Sequence, residues 1–208
     1  EEYISTQIAV YKNSKTLLEF HDKLKVASMY SYAHIHADGE DNGDGRRKHS
    51  LIGILMKDYS GGTGDKAVTV KANISPEEAK FILSRITTGF SEYTFQQEKI
   101  FGQKDEKGYA QVTKVRFIRA LKDSKGNARK IPWYVEVENG KGIPLKNATG
   151  GTYMKSGSFI STGKVYANLT DLDLFKLLSR VSSYSIAPSL ITMAKKAMEN
   201  RQAQQNAA

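Results

Sequence analysis

The sequence predicts an α+β protein of two tandem ββββα units, with one helix covering each antiparallel sheet and a further helix at the C-terminus. Two observations support this fold class. Residues 70–88 and 165–183 are similar without a gap, and each reads as a strand followed by a helix. Three segments with strand-like alternation precede each copy, separated by links rich in Gly and Asn, as hairpins require. Similarity at a fixed spacing indicates an internal duplication.

The repeat extends over most of each unit. At a spacing of 95, the residues Val70, Ala72, Asn73, Leu83, Ser84 and Arg85 recur as Val165, Ala167, Asn168, Leu178, Ser179 and Arg180. At a spacing of 90, the first-strand residues Tyr3, Gln7 and Tyr11 recur as Tyr93, Gln97 and Phe101. The change of spacing predicts an insertion in the second unit, in the loop around residues 141–151.

Each unit is predicted to begin with three strands, and the strand of the repeat is the fourth. In the first unit the three lie at residues 3–11, 26–37 and 49–59, and in the second at 93–102, 111–122 and 131–139. Four such strands form an antiparallel meander. A helix covers one face of each sheet, which leaves the other face free for a different contact.

The two repeated helices carry start signals and an apolar stripe. Ser75, Pro76 and Glu78 form a capping box with proline at the first helical position, and Thr170 with Asp173 is the equivalent pair. The apolar residues at helical spacing are predicted core: Ala79, Ile82, Leu83 and Ile86 in one helix, and Leu174, Leu177, Leu178 and Val181 in the other. Trp133 shares its parity with Val135 and Val137, so it is also predicted to be core.

Residues 1–90 and 91–187 are the two predicted units, expected to form one pseudo-symmetric domain, and residues 188–208 a C-terminal helix with a frayed tail. Pro188 separates this helix from the second repeat. Its apolar stripe, at Leu190, Met193, Ala197 and Met198, predicts packing on its own domain or on a neighbour. An amphipathic tail of this length is marginal alone, which favours a homo-oligomer.

The composition favours a soluble protein that meets a polyanion. The net charge is +9, from 31 basic and 22 acidic residues, and nucleic acid or an acidic membrane surface are the usual partners of such a protein. No apolar run approaches the roughly 18 residues of a membrane span, so no membrane partner is expected. Cysteine is absent, which excludes disulfides and thiolate chemistry and fits a reducing compartment. We therefore expect a cytoplasmic location.

The predicted free face of the sheets carries aromatic, basic and histidine side chains. They are Tyr3, Tyr11, Tyr30, Tyr32, His34, His36, Lys71, Tyr93, Phe95, Lys99, Phe101, Lys114, Arg116, Tyr134 and Tyr166. Bases of single strands stack on aromatic rings while Lys and Arg neutralise phosphates, with little dependence on base identity. The sequence therefore predicts a single-stranded DNA-binding protein of low sequence specificity. The alternative is that these rings pack against a second sheet or a subunit.

Tandem ββββα units with basic, aromatic sheets resemble the Whirly, PUR-alpha and PC4-like group of single-stranded DNA-binding proteins. The resemblance covers about residues 3–183 and is one of topology, since the Lys-Gly-Lys-Ala-Ala-Leu motif of plant Whirly proteins is absent. It implies sheets that bind single strands and C-terminal helices that support oligomers. It assigns no site residue by motif.

Three other functions stay open from the sequence. An RNA-binding regulator would use the same face, because the sequence does not separate recognition of the 2′-hydroxyl from its absence. A metal-dependent enzyme would use His34, His36 and His49, which suit zinc or iron. A structural oligomer would only pack its sheets on each other. The acidic loop 38–45 lacks the calcium-ligand order of an EF-hand, and no nucleophile elbow is present. We therefore expect no enzyme, cofactor or metal.

Overall fold

The computed structural model describes residues 5–25, 38–41, 43 and 47–206. In chain order these form β1 (Gln7–Lys12), β2 (Thr16–Lys23), β3 (Asp38–Asp41), β4 (Arg47–His49), β5 (Leu51–Asp58), β6 (Val68–Ile74), α1 (Pro76–Thr87), β7 (Glu92–Phe101), β8 (Ala110–Ala120), β9 (Trp133–Gly142), β10 (Pro144–Lys146), β11 (Thr152–Met154), β12 (Ile160–Leu169) and α2 (Asp171–Asn206). A single 3-10 turn, Gly64–Lys66, precedes β6.

Two four-stranded antiparallel sheets carry the fold, each followed by a helix. Sheet 1 has the order β1-β2-β5-β6 and leads into α1, and sheet 2 has the order β12-β9-β8-β7 and leads into α2. The strands β3 and β4 form a small hairpin, as do β10 and β11. The second hairpin occupies the region where the change of spacing places an insertion. The predicted class, α+β with two tandem ββββα units, is confirmed.

The predicted second strand of the first unit, at residues 26–37, is wrong. β2, at Thr16–Lys23, takes that place in sheet 1 and pairs with both β1 and β5. Asn13 closes the turn that joins β1 to β2, because its Oδ1 accepts hydrogen bonds from the backbone N–H groups of Lys15 and Thr16 at 2.9 and 2.7 Å. These side-chain bonds favour a turn at Asn13 over a continued strand. Residues 26–37 lie outside the described residues.

Both helices start at the caps that the sequence predicts. Glu78 N donates to Ser75 Oγ at 3.0 Å and Ser75 N donates to Glu78 Oε2 at 2.7 Å, which closes the capping box of α1. In α2, Asp173 N donates to Thr170 Oγ1 at 3.1 Å. These bonds satisfy backbone N–H groups that have no partner within the helix.

Each helix reaches the other sheet as well as its own. α1 follows sheet 1 and contacts β5, but its side chains also pack on the first strand of sheet 2, where the rings of Phe81 and Tyr93 lie 6.3 Å apart and Gln97 Nε2 donates to Glu78 Oε1 at 2.6 Å. α2 follows sheet 2 but packs on β1 of sheet 1, and the Tyr184 hydroxyl donates to Asp22 Oδ2 at 2.7 Å. The two sheets therefore share one hydrophobic core.

The prediction of a break at Pro188 is wrong, since α2 is continuous from Asp171 to Asn206. Proline removes one backbone donor from a helix interior. The residues that follow it are rich in Ala, Lys, Met and Gln, which are strong helix formers, and no glycine intervenes. The homo-oligomer expected from this segment stays a prediction. Within the described residues, no helix is long and apolar enough to cross a membrane.

Sheet 1 meets sheet 2 through its edge strand β6, whose outer backbone groups are free of a ladder partner. The Asn139 side chain on β9 satisfies both groups of Lys71: its Oδ1 accepts from Lys71 N at 2.8 Å and its Nδ2 donates to Lys71 O at 2.7 Å. Gly163 lets β6 approach β12 closely, because a Cβ there would lie 3.3 Å from Val70 Cγ1. The strand edge is thereby covered, and the position of β6 across sheet 2 is fixed.

The predicted helix stripes pack in the core, with Leu83 and Ile86 only partly buried against it and the other six residues buried. Leu178 provides a test of the packing. Leu178 is fully buried, so Leu178→Ala is expected to lower the free energy of unfolding by about 2–5 kcal/mol, the cost of a lost side chain and a residual cavity. Leu172 on the same helix is 58% exposed, and Leu172→Ala is the control, expected to change stability by about 0.5 kcal/mol or less. Denaturant unfolding measures both, and equal losses would contradict the packing.

Candidate nucleic-acid interface

The outward face of sheet 2 carries four of the predicted site residues. Lys114, Arg116, Tyr134 and Tyr166 lie on the face opposite the buried residues Val115, Phe117, Val135 and Ala167. The rings of Tyr134 and Tyr166 stack 5.3 Å apart at 24°. The prediction of an aromatic and basic outward face is confirmed for these four residues in position, while their binding role stays a prediction.

Acidic residues compensate the cations of this face. Glu136 is 2% exposed and accepts from Arg116 Nη1 at 3.3 Å, from Lys164 Nζ at 2.7 Å and from the Tyr134 hydroxyl. Lys114 Nζ lies 3.3 Å from Glu98 Oε2 and 3.7 Å from the centre of the Phe159 ring. Because each of these cations already has an acidic partner, the face has little positive charge to offer a phosphate.

The same contacts set the protonation of Glu136 and Tyr134 at the centre of the face. Burial alone would raise the pKa of Glu136, but the hydrogen bonds from Lys164 and Tyr134, with the charges of Lys164 and Arg116, outweigh it and lower that pKa. Burial first, and then the hydrogen bond to Glu136, raises the pKa of Tyr134. Glu136 is therefore ionised and Tyr134 neutral near pH 7.

The outward placement of Tyr93 and Phe95 is wrong. Both pack against the core: Tyr93 lies 6.2 Å from Trp133 and Phe95 lies 6.1 Å from Phe117, edge to face. Their parity on β7 is the one that α1 covers, and the polar parity, Thr94 to Glu98, faces outward. A strand that alternates aromatic and polar residues buries the aromatic set whenever the neighbouring face is covered.

Tyr11 also turns inward, for a different reason. A β-bulge shifts the register between Gln7 and Ala9, so that Gln7 pairs with His21 on the outward face while Tyr11 pairs with Leu18 on the core face. An inserted residue moves every later side chain to the opposite face. Tyr11 then packs against the core near α2, and its predicted outward placement is wrong.

Five predicted site residues lie outside the described residues: Tyr3, Tyr30, Tyr32, His34 and His36. The metal alternative that depends on His34 and His36 therefore stays open. In the parts of the chain that the structure describes, no three His, Asp or Glu side chains gather as a metal site. The described part of the acidic loop includes β3, which pairs with β4 so that Asp38 lies opposite His49.

The other predicted residues, Lys71, Lys99 and Phe101, line a groove between the two sheets. This inter-sheet groove consists of three adjoining depressions, of about 300, 430 and 400 Å³. Lys23 and Lys71 line both the first and the second depression, and Asn73, Phe101 and Thr113 line both the second and the third. The groove therefore runs from the outward face of sheet 1, past the β6 edge, to the end of β7.

The groove carries exposed rings and uncompensated positive charge. Phe101 is 46% exposed and Tyr153, on the inserted β10–β11 hairpin, is 49% exposed. Lys141 pairs with Asp105 at 3.0 Å, but no described carboxylate pairs with Lys23, Lys71 or Lys99 within ion-pair distance. Partial burial lowers the pKa of Lys23, and the nearby charge of Lys71 lowers it further. The groove can take an anion with an attached planar group.

Sequence reasoning missed Lys23, Asn73 and Tyr153 as parts of this groove. Lys23 is the last residue of β2. The sequence signal for this strand is the alternation of Leu18 and Phe20 after the turn at Asn13. Asn73 recurs as Asn168 in the second unit, but the repeat alone does not show that the Asn73 side chain lies on the outward face of β6. Tyr153 lies in the insertion, where no repeat partner marks it.

In structure, the chain is similar to the plant transcriptional regulator PBF-2, at 11% sequence identity and a TM-score of 0.49, over 95% of this chain and 90% of that one. It is also similar to WHY3 from Arabidopsis thaliana, at 13% identity and a TM-score of 0.48, over 99% of this chain and 98% of that one. Both are Whirly proteins, the first of the groups that the sequence resembles. No family model matches the chain, and no curated protein matches it in sequence.

Proposed function

We propose that this chain is a non-catalytic single-stranded DNA-binding protein that holds a strand in the inter-sheet groove, with little preference for sequence. One observation supports this most strongly: exposed rings, and lysines that form no ion pair with a described carboxylate, line the same adjoining depressions. Rings supply stacking to any base, and lysines release counterions from phosphates. The net charge of +9 supports an anionic partner of some length.

The groove is the preferred surface because the cations Lys114, Arg116 and Lys164 on the outward face of sheet 2 already have acidic partners. On that face Glu98 and Glu136 compensate Lys114, Arg116 and Lys164. Tyr166, which is 52% exposed, still offers a ring there. We therefore assign the main phosphate contacts to the groove and at most a further stacking contact to sheet 2.

Single strands suit this groove better than a duplex does. In a duplex the base faces are stacked on each other and are not available to Phe101 or Tyr153. An RNA strand offers the same bases and phosphates, and no described contact in the groove distinguishes a 2′-hydroxyl. RNA is therefore the second candidate ligand, and the same assay compares it with DNA.

Phe101→Ala is expected to weaken binding of a mixed-sequence single strand by about 1–3 kcal/mol, the usual loss of one stacking ring, with little change in salt dependence. Phe175, on α2 and 39% exposed, does not line the groove, so Phe175→Ala is the matched control. Fluorescence anisotropy with single-stranded DNA, duplex DNA and RNA at two salt concentrations measures the effect. Equal binding of single strand and duplex, unchanged by Phe101→Ala, would overturn the proposal.

A further inference from the structure

We propose that Lys23 and Lys71 together form a subsite for a single phosphate group, at the junction of the first two depressions of the inter-sheet groove. This inference rests on the proposed function and assigns its main phosphate contact. Both lysines line both depressions, so a phosphate at the junction lies within reach of two ammonium groups.

Lys23 is held in place on both sides. Its Nζ donates to Asn73 Oδ1 at 2.8 Å, across the sheet from β2 to β6. Its stem passes over Gly53, where a Cβ would lie 3.0 Å from Lys23 Cε. The absence of a side chain at Gly53 therefore makes room for this lysine, and Asn73 fixes the direction of its head group.

Lys71 is placed by its backbone. The Asn139 side chain bonds both the N–H and the C=O of Lys71, at 2.8 and 2.7 Å. Because these bonds join β6 to β9, the position of Lys71 depends on how the two sheets meet. Its exposed side chain then leaves the strand edge beside Lys23.

The two lysines lack a negatively charged partner among the described residues. No described carboxylate forms an ion pair with either lysine, and Asp22, which also lines the first depression, accepts hydrogen bonds from Tyr184 and from Leu24 N. Burial, and after it repulsion from the charge of Lys71, lowers the pKa of Lys23. A phosphate that bridges both ammonium groups removes this repulsion and gains two charge-assisted hydrogen bonds.

The group that fits is a phosphate carried by nucleic acid, either a backbone phosphodiester or a terminal phosphate monoester. Both offer the same oxygen acceptors. Phe101 lines the second depression beside the two lysines, so a base attached to the bound phosphate has a ring within the same cavity. The subsite would therefore fix the register of one nucleotide in an otherwise sequence-tolerant groove.

The test compares the salt dependence of single-strand binding for the wild type, Lys23→Met, Lys71→Met and the double variant, with Lys125→Met as the control in an exposed turn. If one phosphate is shared, the slope of log affinity against log salt falls by about 0.7 in the double variant, the single-strand value for one phosphate. A fall of about 1.4, twice that value, means two separate phosphates and overturns the shared subsite. A double variant that matches Lys125→Met also overturns it.

Gly53→Val tests the geometry without changing a charge. The added side chain displaces the Lys23 stem, so the slope is expected to fall as it does in Lys23→Met. An unchanged slope would mean that the lysines act only through their distant charge, which also overturns the subsite. Oligonucleotides with and without a 5′-phosphate then identify the source: a difference that disappears in the double variant indicates the terminal phosphate, and no difference indicates the backbone.

Titration with inorganic phosphate separates this inference from the proposed function. Side-chain NMR signals of Lys23 and Lys71 are expected to shift together on addition of phosphate, with Lys125 unchanged. If they shift while the wild type binds no single strand, the proposed function fails and the subsite stands. If single strands bind through Phe101 while the lysine variants change nothing, the subsite fails and the proposed function stands.

Discussion

Replacing both Arg116 and Lys164 with methionine is expected to lower the free energy of unfolding at pH 7 by up to about 3–5 kcal/mol, the range for breaking a buried ion pair. That range is an upper bound, because the Arg116 and Lys164 side chains are 34% and 46% exposed. The variant leaves the Glu136 carboxylate, 2% exposed, with the Tyr134 hydroxyl as its one remaining described partner. Burying a carboxylate without a countercharge is costly. Methionine retains most of the aliphatic packing of both lost side chains, so the loss reports on charge.

The pH dependence of this variant should have the opposite sign to that of the wild type. In the wild type the pKa of Glu136 is lowered, so its contribution to stability is present above the unfolded pKa and is lost as the pH falls through the folded pKa. In the double variant the charges of Lys164 and Arg116 no longer counteract burial, so burial raises the pKa of Glu136. The penalty is then largest at neutral pH and decreases as the pH falls and Glu136 becomes protonated.

Denaturant unfolding at pH 7 and near pH 4.5 measures both effects. Adding Glu136→Gln to the double variant removes the unpaired charge and is expected to restore most of the stability at pH 7. Lys125→Met, in an exposed turn, is the control for loss of a surface charge. A penalty that is the same at both pH values would show that packing rather than charge is responsible.

Trp133→Ala is expected to destabilise the fold by about 3–5 kcal/mol, the range for a buried aromatic residue. Trp133 is fully buried, packs edge to face on Tyr93, and donates from Nε1 to Asp171 Oδ1 at 2.7 Å. Asp171 is the first residue of α2 and also accepts two bonds from Arg119, each of 2.9 Å. The substitution therefore removes both core volume and a bond that fixes the start of the helix.

Trp133→Phe separates the two contributions. It keeps a ring in the core and removes only the indole donor, so its cost should be clearly smaller than that of Trp133→Ala. Ile131→Ala is the control, because Ile131 precedes the same strand and is 48% exposed. Thermal and denaturant unfolding provide the measurement. Equal losses for the two Trp133 variants would mean that the bond to Asp171, and not the packing, holds this region.

The strands of sheet 2 and both helix starts followed from the sequence because local signals agree there. Alternation across 93–102 and 111–122 is long, and Ser75 and Thr170 carry complete caps. The strand β2 was missed because its alternation begins directly after a three-residue turn, where adjacent Leu17 and Leu18 hide the period. The continuity of α2 through Pro188 does not follow from the sequence, because proline usually ends a helix. Here the strong helix formers that follow Pro188 outweigh this effect.

The candidate site was less predictable, since its faces depend on tertiary structure. Alternation reveals two sets of residues on a strand but not which set a helix covers, so Tyr93 and Phe95 were assigned to the wrong face. The bulge between Gln7 and Ala9 moves the Tyr11 side chain to the core face. No local sequence feature predicts this bulge. The groove joins residues of seven strands from the two sheets and of β11 in the inserted hairpin. The compensation of Arg116 by Glu136 depends on cross-strand register. Neither follows from a linear pattern.

The packing of α2 on sheet 1 affects how the chain reaches its native state. When the first 90 residues have left the ribosome, sheet 1 has all four of its strands but lacks α2, the helix that packs on β1. That helix is the last element to be synthesised. Contacts between such distant parts of a chain close slowly, so the nascent protein carries an uncovered apolar surface through most of its synthesis. Partly synthesised chains are therefore open to aggregation until α2 is complete.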